Sequence, residues 1–129
     1  MTRKTRTATI LIAGALAVGL TAAPASALWS DCPSGYACVW TSTSYPGSPN
    51  AKTASLSNLA DVSNRGNSIV NNGKTSVARY YDLAGCSTGS YIVMNNPARG
   101  GQSRDPLLSN GTDATTANWA NKISCVKFS

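Results

Sequence analysis

The chain has 129 residues with eleven Lys/Arg against five Asp/Glu, and only 12% of its residues are charged. It contains no His and no Glu, so Ser-His-Asp and Cys-His nucleophile arrangements, His-ligated zinc and Glu general acids are excluded. The five Asp residues stand in no recognisable pair, and the length suits one domain with a small core.

Thr2-Arg3-Lys4-Thr5-Arg6 is a basic start, Ala8 to Leu20 is an apolar run, and Pro24 precedes Ala25-Ser26-Ala27, a small-x-small cleavage signal. This three-part layout predicts a signal peptide over 1–27. The run is shorter than the ~20 apolar residues a membrane span needs. The expected mature protein, 28–129, is therefore secreted, extracellular and free of the membrane. Three of the eleven basic residues leave with the leader, so eight face five Asp and the net charge falls to about +3. Lys52, Lys74, Arg79, Arg99, Arg104, Lys122 and Lys127 are scattered and form no run to track a phosphate backbone. Nucleic acid is not an expected partner.

Four cysteines in a short exported chain predict two disulfides, with three pairings open. Cys32–Cys38 with Cys86–Cys125 is favoured, because Pro33 and Gly35 help fold the first short loop back on itself. By the chain-entropy argument the longer loop is worth roughly 4 kcal/mol and the short one about 2.5. The cysteine spacings fit no zinc ribbon, so no metal site is expected from them.

Short β-branched and aromatic segments bounded by turn residues predict strands at 37–40, 68–70, 77–81, 90–94 and 123–128. Asn71-Asn72-Gly73-Lys74 predicts a hairpin or a sharp link between motifs, its Asn-Gly supplying positive φ angles. A weak internal repeat of about 41 to 57 residues relates Trp40 and Tyr45 to Tyr81 and Cys86, and Ser63–Ile69 to Ala120–Val126. Each half then holds four strands, about 32–76 and 77–129, and two such Greek keys pack face to face. The stretch from Asn95 to Asn118 is rich in Pro and Gly and predicts a long exposed loop, with a weak strand or helical turn near Leu107-Leu108.

Three signatures coincide over nearly all of the mature chain. They are Cys32-Pro33-Ser34-Gly35-Tyr36-Ala37-Cys38-Val39-Trp40, then Trp40-x4-Tyr45-x-Gly47-Ser48, then the paired polar loops Asn64–Ser68 and Asn121–Cys125. The ordered set resembles secreted bacterial βγ-crystallin-like proteins of the microbial metalloproteinase-inhibitor (peptidase inhibitor) family. The resemblance implies an all-β sandwich of two Greek keys, no catalytic chemistry, a monomer, and an extracellular peptidase as partner. The second half departs from the hairpin motif: Cys86 stands where the inner aromatic belongs, and Gly89 falls one position late.

The same resemblance implies a calcium motif of two Asn/Asp, two free positions and Ser/Thr-Ser. Its degenerate positions here are Asn64 and Ser68 in the first copy, and Asn121 and Ser124 in the second. Neither copy holds a carboxylate, and Arg65 and Lys122 add positive charge, so calcium binding is expected to be weak or lost and no cofactor is expected. Inhibition needs instead a rigid exposed loop that enters a peptidase cleft as an extended strand. Arg104-Asp105-Pro106-Leu107-Leu108-Ser109 offers an apolar bait in Leu107 or Leu108. Two other functions compete with inhibition. One is a non-enzymatic calcium-type module. The other is a cell-surface or glycan-binding protein that uses an exposed Trp, with Trp29 the freest of Trp29, Trp40 and Trp119.

Overall fold

The computed structural model describes residues 28–74 and 76–129; the expected signal peptide at 1–27 lies outside them. The chain is all-β. Among the described residues eight strands run in order: β1 (Ala37–Trp40), β2 (Ala51–Thr53), β3 (Leu56–Asn58), β4 (Ser68–Asn71), β5 (Ala78–Tyr81), β6 (Tyr91–Met94), β7 (Arg104–Asp105) and β8 (Cys125–Phe128). They form two four-stranded sheets, ordered β2-β1-β4-β7 and β3-β8-β5-β6, with every pairing antiparallel.

The topology carries the internal repeat. Three strands of each half share one sheet, and the third strand in sequence crosses to the other: β3 joins β8, and β7 joins β4. A reciprocal pair of hydrogen bonds joins the halves at their polar loops. The Asn64 N–H donates to the Ile123 carbonyl and the Asn121 N–H to the Gly66 carbonyl, both at 2.8 Å. Asn64 and Asn121 also share positive φ angles of 56° and 58°.

Alternation places the core. Val39 and Ile69 of one sheet face Tyr80, Ile92, Met94 and Val126 of the other, joined by Leu59, Leu108, Trp119 and Ile123 from the connections. At about 1.5–3 kcal/mol for each large apolar side chain, these provide the main drive for folding. β1 and β4 are buried on both faces, because the Cys32 segment and Tyr45 cover Cys38, Trp40 and Val70 on the outer side.

Three strands differ from the sequence expectation. β2, β3 and β7 have two or three residues each and lie at sheet edges, where pairing rather than an apolar pattern makes them strands. The Asn71–Lys74 segment links two sheets and is not a hairpin. Neither Asn72 nor Gly73 has a positive φ there. Gly73 is required for space instead: a Cβ would lie 2.6 Å from Phe128 Cε1 and 2.8 Å from Asn71 Oδ1.

Candidate functional site

The Arg104–Ser109 segment is a braced turn rather than a free loop. Arg104 and Asp105 form β7 against β4, and residues Leu108–Asn110 make a 3-10 turn. The Asp105 carboxylate is buried. Its Oδ1 accepts the Leu107 N–H at 2.8 Å and its Oδ2 accepts from Gln102 Nε2 at 2.8 Å. Burying a carboxylate is costly without such donors, so this pair fixes the turn and keeps Asp105 inside. The Ser44 N–H donates to the Pro106 carbonyl at 2.9 Å and the Leu108 N–H to the Asn67 carbonyl at 3.1 Å. Each side of Leu107 is thus tied to a neighbouring segment.

The two leucines part company. Leu107 is 40% exposed, whereas Leu108 is fully buried in the central core. Leu108 is therefore removed as a bait: it occupies the place that Leu59 holds in the first half, just past the crossing strand, and each N–H reaches the opposite polar loop. Asp105 is likewise an internal brace. Arg104 is exposed, and its guanidinium lies 4.5 Å from the centre of the Trp29 ring. An open cleft of about 440 Å³ runs beside this pair, lined also by Gln102 and Asp113.

Tyr45 connects this turn to the first aromatic corner. Its ring meets Trp40 edge-on at 5.3 Å, and Trp40 Nε1 donates to the Gly47 carbonyl at 2.9 Å. Gly47 has φ +63°, the left-handed angle that glycine adopts without strain. The Tyr45 N–H donates to Ser68 Oγ, which itself donates to the Ser42 carbonyl. Burial pushes the Tyr45 phenol far above its ordinary range, and the nearby Asp105 charge adds to the effect. In the second half the Cys86–Cys125 disulfide stands where Tyr45 meets Ser68, and Cys86 shares the positive φ of Tyr45. The other disulfide joins Cys32 to Cys38.

Three of the four calcium-motif positions, Asn64, Asn121 and Ser124, are consumed in a zipper between the polar loops, whereas Ser68 is taken up by Tyr45 and Ser42. Asn64 Oδ1 accepts from Ser124 Oγ at 3.1 Å, and Ser124 Oγ accepts from Ser63 Oγ at 2.9 Å. Asn121 Oδ1 accepts from Asn67 Nδ2 at 3.1 Å, and that same nitrogen lies 2.8 Å from the Thr41 carbonyl and 3.2 Å from that of Arg65. Three oxygens converge there on a hydrogen-bond donor. A hard cation would need the donor gone, so the residues present do not fit calcium at this loop. Asn67 was not singled out from the sequence, although it stands at the motif position that takes Ser/Thr. Among the described residues no three of His, Cys, Asp or Glu gather as a metal site.

The described residues thus form a small two-sheet scaffold with two disulfides and a braced apolar projection. The chain belongs to peptidase inhibitor family I36, whose family model matches residues 25–94. The family is a non-enzymatic inhibitor class, so the protein is a peptidase inhibitor and not an enzyme, and its partner is a peptidase. The match spans β1 to β6 and ends before the Arg104–Ser109 turn. No curated protein and no solved structure matches the chain.

Proposed function

We propose that the protein is an exported bacterial inhibitor of an extracellular metallopeptidase, and that it blocks the cleft with Leu107 held on the Arg104–Ser109 turn. One observation carries the reading: Leu107 is an exposed apolar side chain on a backbone tied down on both sides. Such a segment loses little conformational freedom on binding, so contacts in the cleft are not offset by the cost of ordering a loop. Metallopeptidase clefts that favour a bulky apolar residue after the scissile bond suit a leucine. The crossed strands, β3 in one sheet and β7 in the other, support two Greek keys of the βγ-crystallin kind.

Titration of the oxidised protein against a thermolysin-like metallopeptidase and, in parallel, a serine peptidase tests the reading. Stoichiometric inhibition of the first alone is expected. Inhibition of the serine peptidase alone would move the target class, and inhibition of neither would reject the reading. A second reading, glycan binding, is favoured by the exposed Trp29 in its cleft with Arg104 and Asp113. Co-sedimentation with insoluble cell-wall material, lost in Trp29→Ala, would support it.

A further inference from the structure

β6 is an edge strand with β5 as its sheet neighbour. The Asp82 N–H donates to the Ser90 carbonyl at 3.0 Å, one step beyond the opposed pair Tyr81 and Tyr91. Hydrogen-bonded and non-bonded pairs alternate along an antiparallel ladder. Tyr91 and Val93 therefore turn their N–H and C=O groups away from β5. Asn95, the next residue in that outward phase, donates its N–H to the Gln102 carbonyl at 2.8 Å. No hydrogen bond of this kind meets Tyr91 or Val93 among the described residues. Their side chains are also exposed, at 49% and 37%.

The face beside this edge is cationic and apolar. Ala78 and Tyr80 point to the core, so Arg79 points outward, between Val93 on one side and Lys127 on the other, with Leu56 opposite Lys127. The Arg79 guanidinium lies 5.6 Å from the centre of the Tyr91 ring. The related face of the first sheet, with Lys52 and Arg104 over Tyr36 and Trp29, is covered by the segment around Cys32; among the described residues nothing similar covers this one.

We propose that the β6 edge takes up an extended segment of a partner polypeptide, which pairs as an added strand and turns acidic side chains toward Arg79 and apolar ones toward the sandwich interior. Alternating free donors and acceptors on two residues are the binding pattern of a strand. The cations on the face select for carboxylates. A second copy of the chain is a poorer occupant, because both copies would bring the same cations, Arg79 and Lys127, to the seam.

The test is an amide NMR titration of the ¹⁵N-labelled protein with the peptide acetyl-Glu-Val-Glu-Val-Glu-amide. The Tyr91 and Val93 amides should shift and exchange more slowly with water. Binding should weaken at least tenfold for Val93→Pro, whose lost N–H is not part of the β5 ladder, and for the peptide with Lys in place of Glu. Should Val93→Pro fail to fold, Arg79→Gln should still weaken binding several-fold. Shifts confined to Arg104–Ser109, no shift at millimolar peptide, equal binding of the Lys peptide, or a concentration-dependent dimer through Tyr91 and Val93 would each overturn the proposal. Apart from shifts at Arg104–Ser109, which fall on the turn of Leu107, these outcomes leave inhibition through Leu107 untouched.

Discussion

Leu107 and Leu108 are adjacent and identical, yet the backbone assigns them opposite tasks, and substitution should separate them. Leu107→Ala removes an exposed side chain whose backbone bonds are untouched. It should weaken peptidase inhibition at least tenfold while leaving the melting temperature within about 3 °C, since surface changes of this kind cost under ~0.5 kcal/mol. Leu108→Ala empties a fully buried site and should cost about 2–5 kcal/mol in urea denaturation. Equal effects of the two on inhibition, at matched stability, would remove Leu107 as the bait. Tyr80 offers a second contrast at this scale. Its phenol is wholly buried and donates to the Val70 carbonyl at 2.8 Å, and burial pushes its pKa far above the ordinary range. The neutral form is the one that folding favours, so its stabilisation is complete below the unfolded-state pKa near 10 and declines as pH rises beyond it. Stability should fall by about 1.4 kcal/mol per pH unit above pH ~10 on this account. Tyr80→Phe should be less stable at neutral pH and should lose that part of the alkaline slope.

The elements that were legible in the sequence are those whose own side chains dictate them. Val39, Ile69, Tyr80, Ile92 and Val126 lie on short apolar or alternating segments, and all five face the core. Ala51-Lys52-Thr53, Leu56-Ser57-Asn58 and Arg104-Asp105 carry no such pattern; they are strands because β1, β8 and β4 offer them a free edge. The candidate turn was half legible for the same reason. Its Pro and Leu mark a projection, whereas much of the brace comes from Ser44 and Asn67, partners that sequence spacing does not bring together. The disulfides act between elements. Cys32–Cys38 pins the segment that leads into β1, while Cys86–Cys125 ties the β5–β6 connection to β8 across a separation of 39 residues. Removing the second, as Cys86→Ala with Cys125→Ser, should cost about 4 kcal/mol, against about 2.5 for the equivalent change at Cys32 and Cys38. Urea titrations of the two double variants check the order; a larger loss at the short loop would mean that native contacts of Cys32, not chain entropy, dominate.

At the scale of the whole molecule, the two halves meet at the polar loops, and what holds them there decides whether a metal ion has any part. Asn67 and Ser124 occupy related places, and each donates to the Asn of the opposite loop: Asn67 to Asn121, Ser124 to Asn64. The join is closed by protons already present in the chain. Millimolar calcium should therefore leave the melting temperature unchanged to within about 1 °C, because a ligand stabilises only to the extent that it binds the folded form. Asn67→Asp supplies the contrast. It replaces the donor facing the Thr41, Arg65 and Asn121 oxygens with a carboxylate that can only accept. Without calcium the variant should lose about 1–3 kcal/mol, the cost of unpaired and opposed acceptors. With calcium it should regain stability, since a carboxylate and converging carbonyl oxygens are the ligands the ion takes. A site of millimolar affinity at tenfold excess calcium returns about 1.4 kcal/mol, a rise of several degrees in a domain of this size. Melting both proteins with and without calcium separates the possibilities. A calcium-dependent rise in the wild-type chain would show that the zipper opens to admit the ion and that the two halves are joined by metal after all.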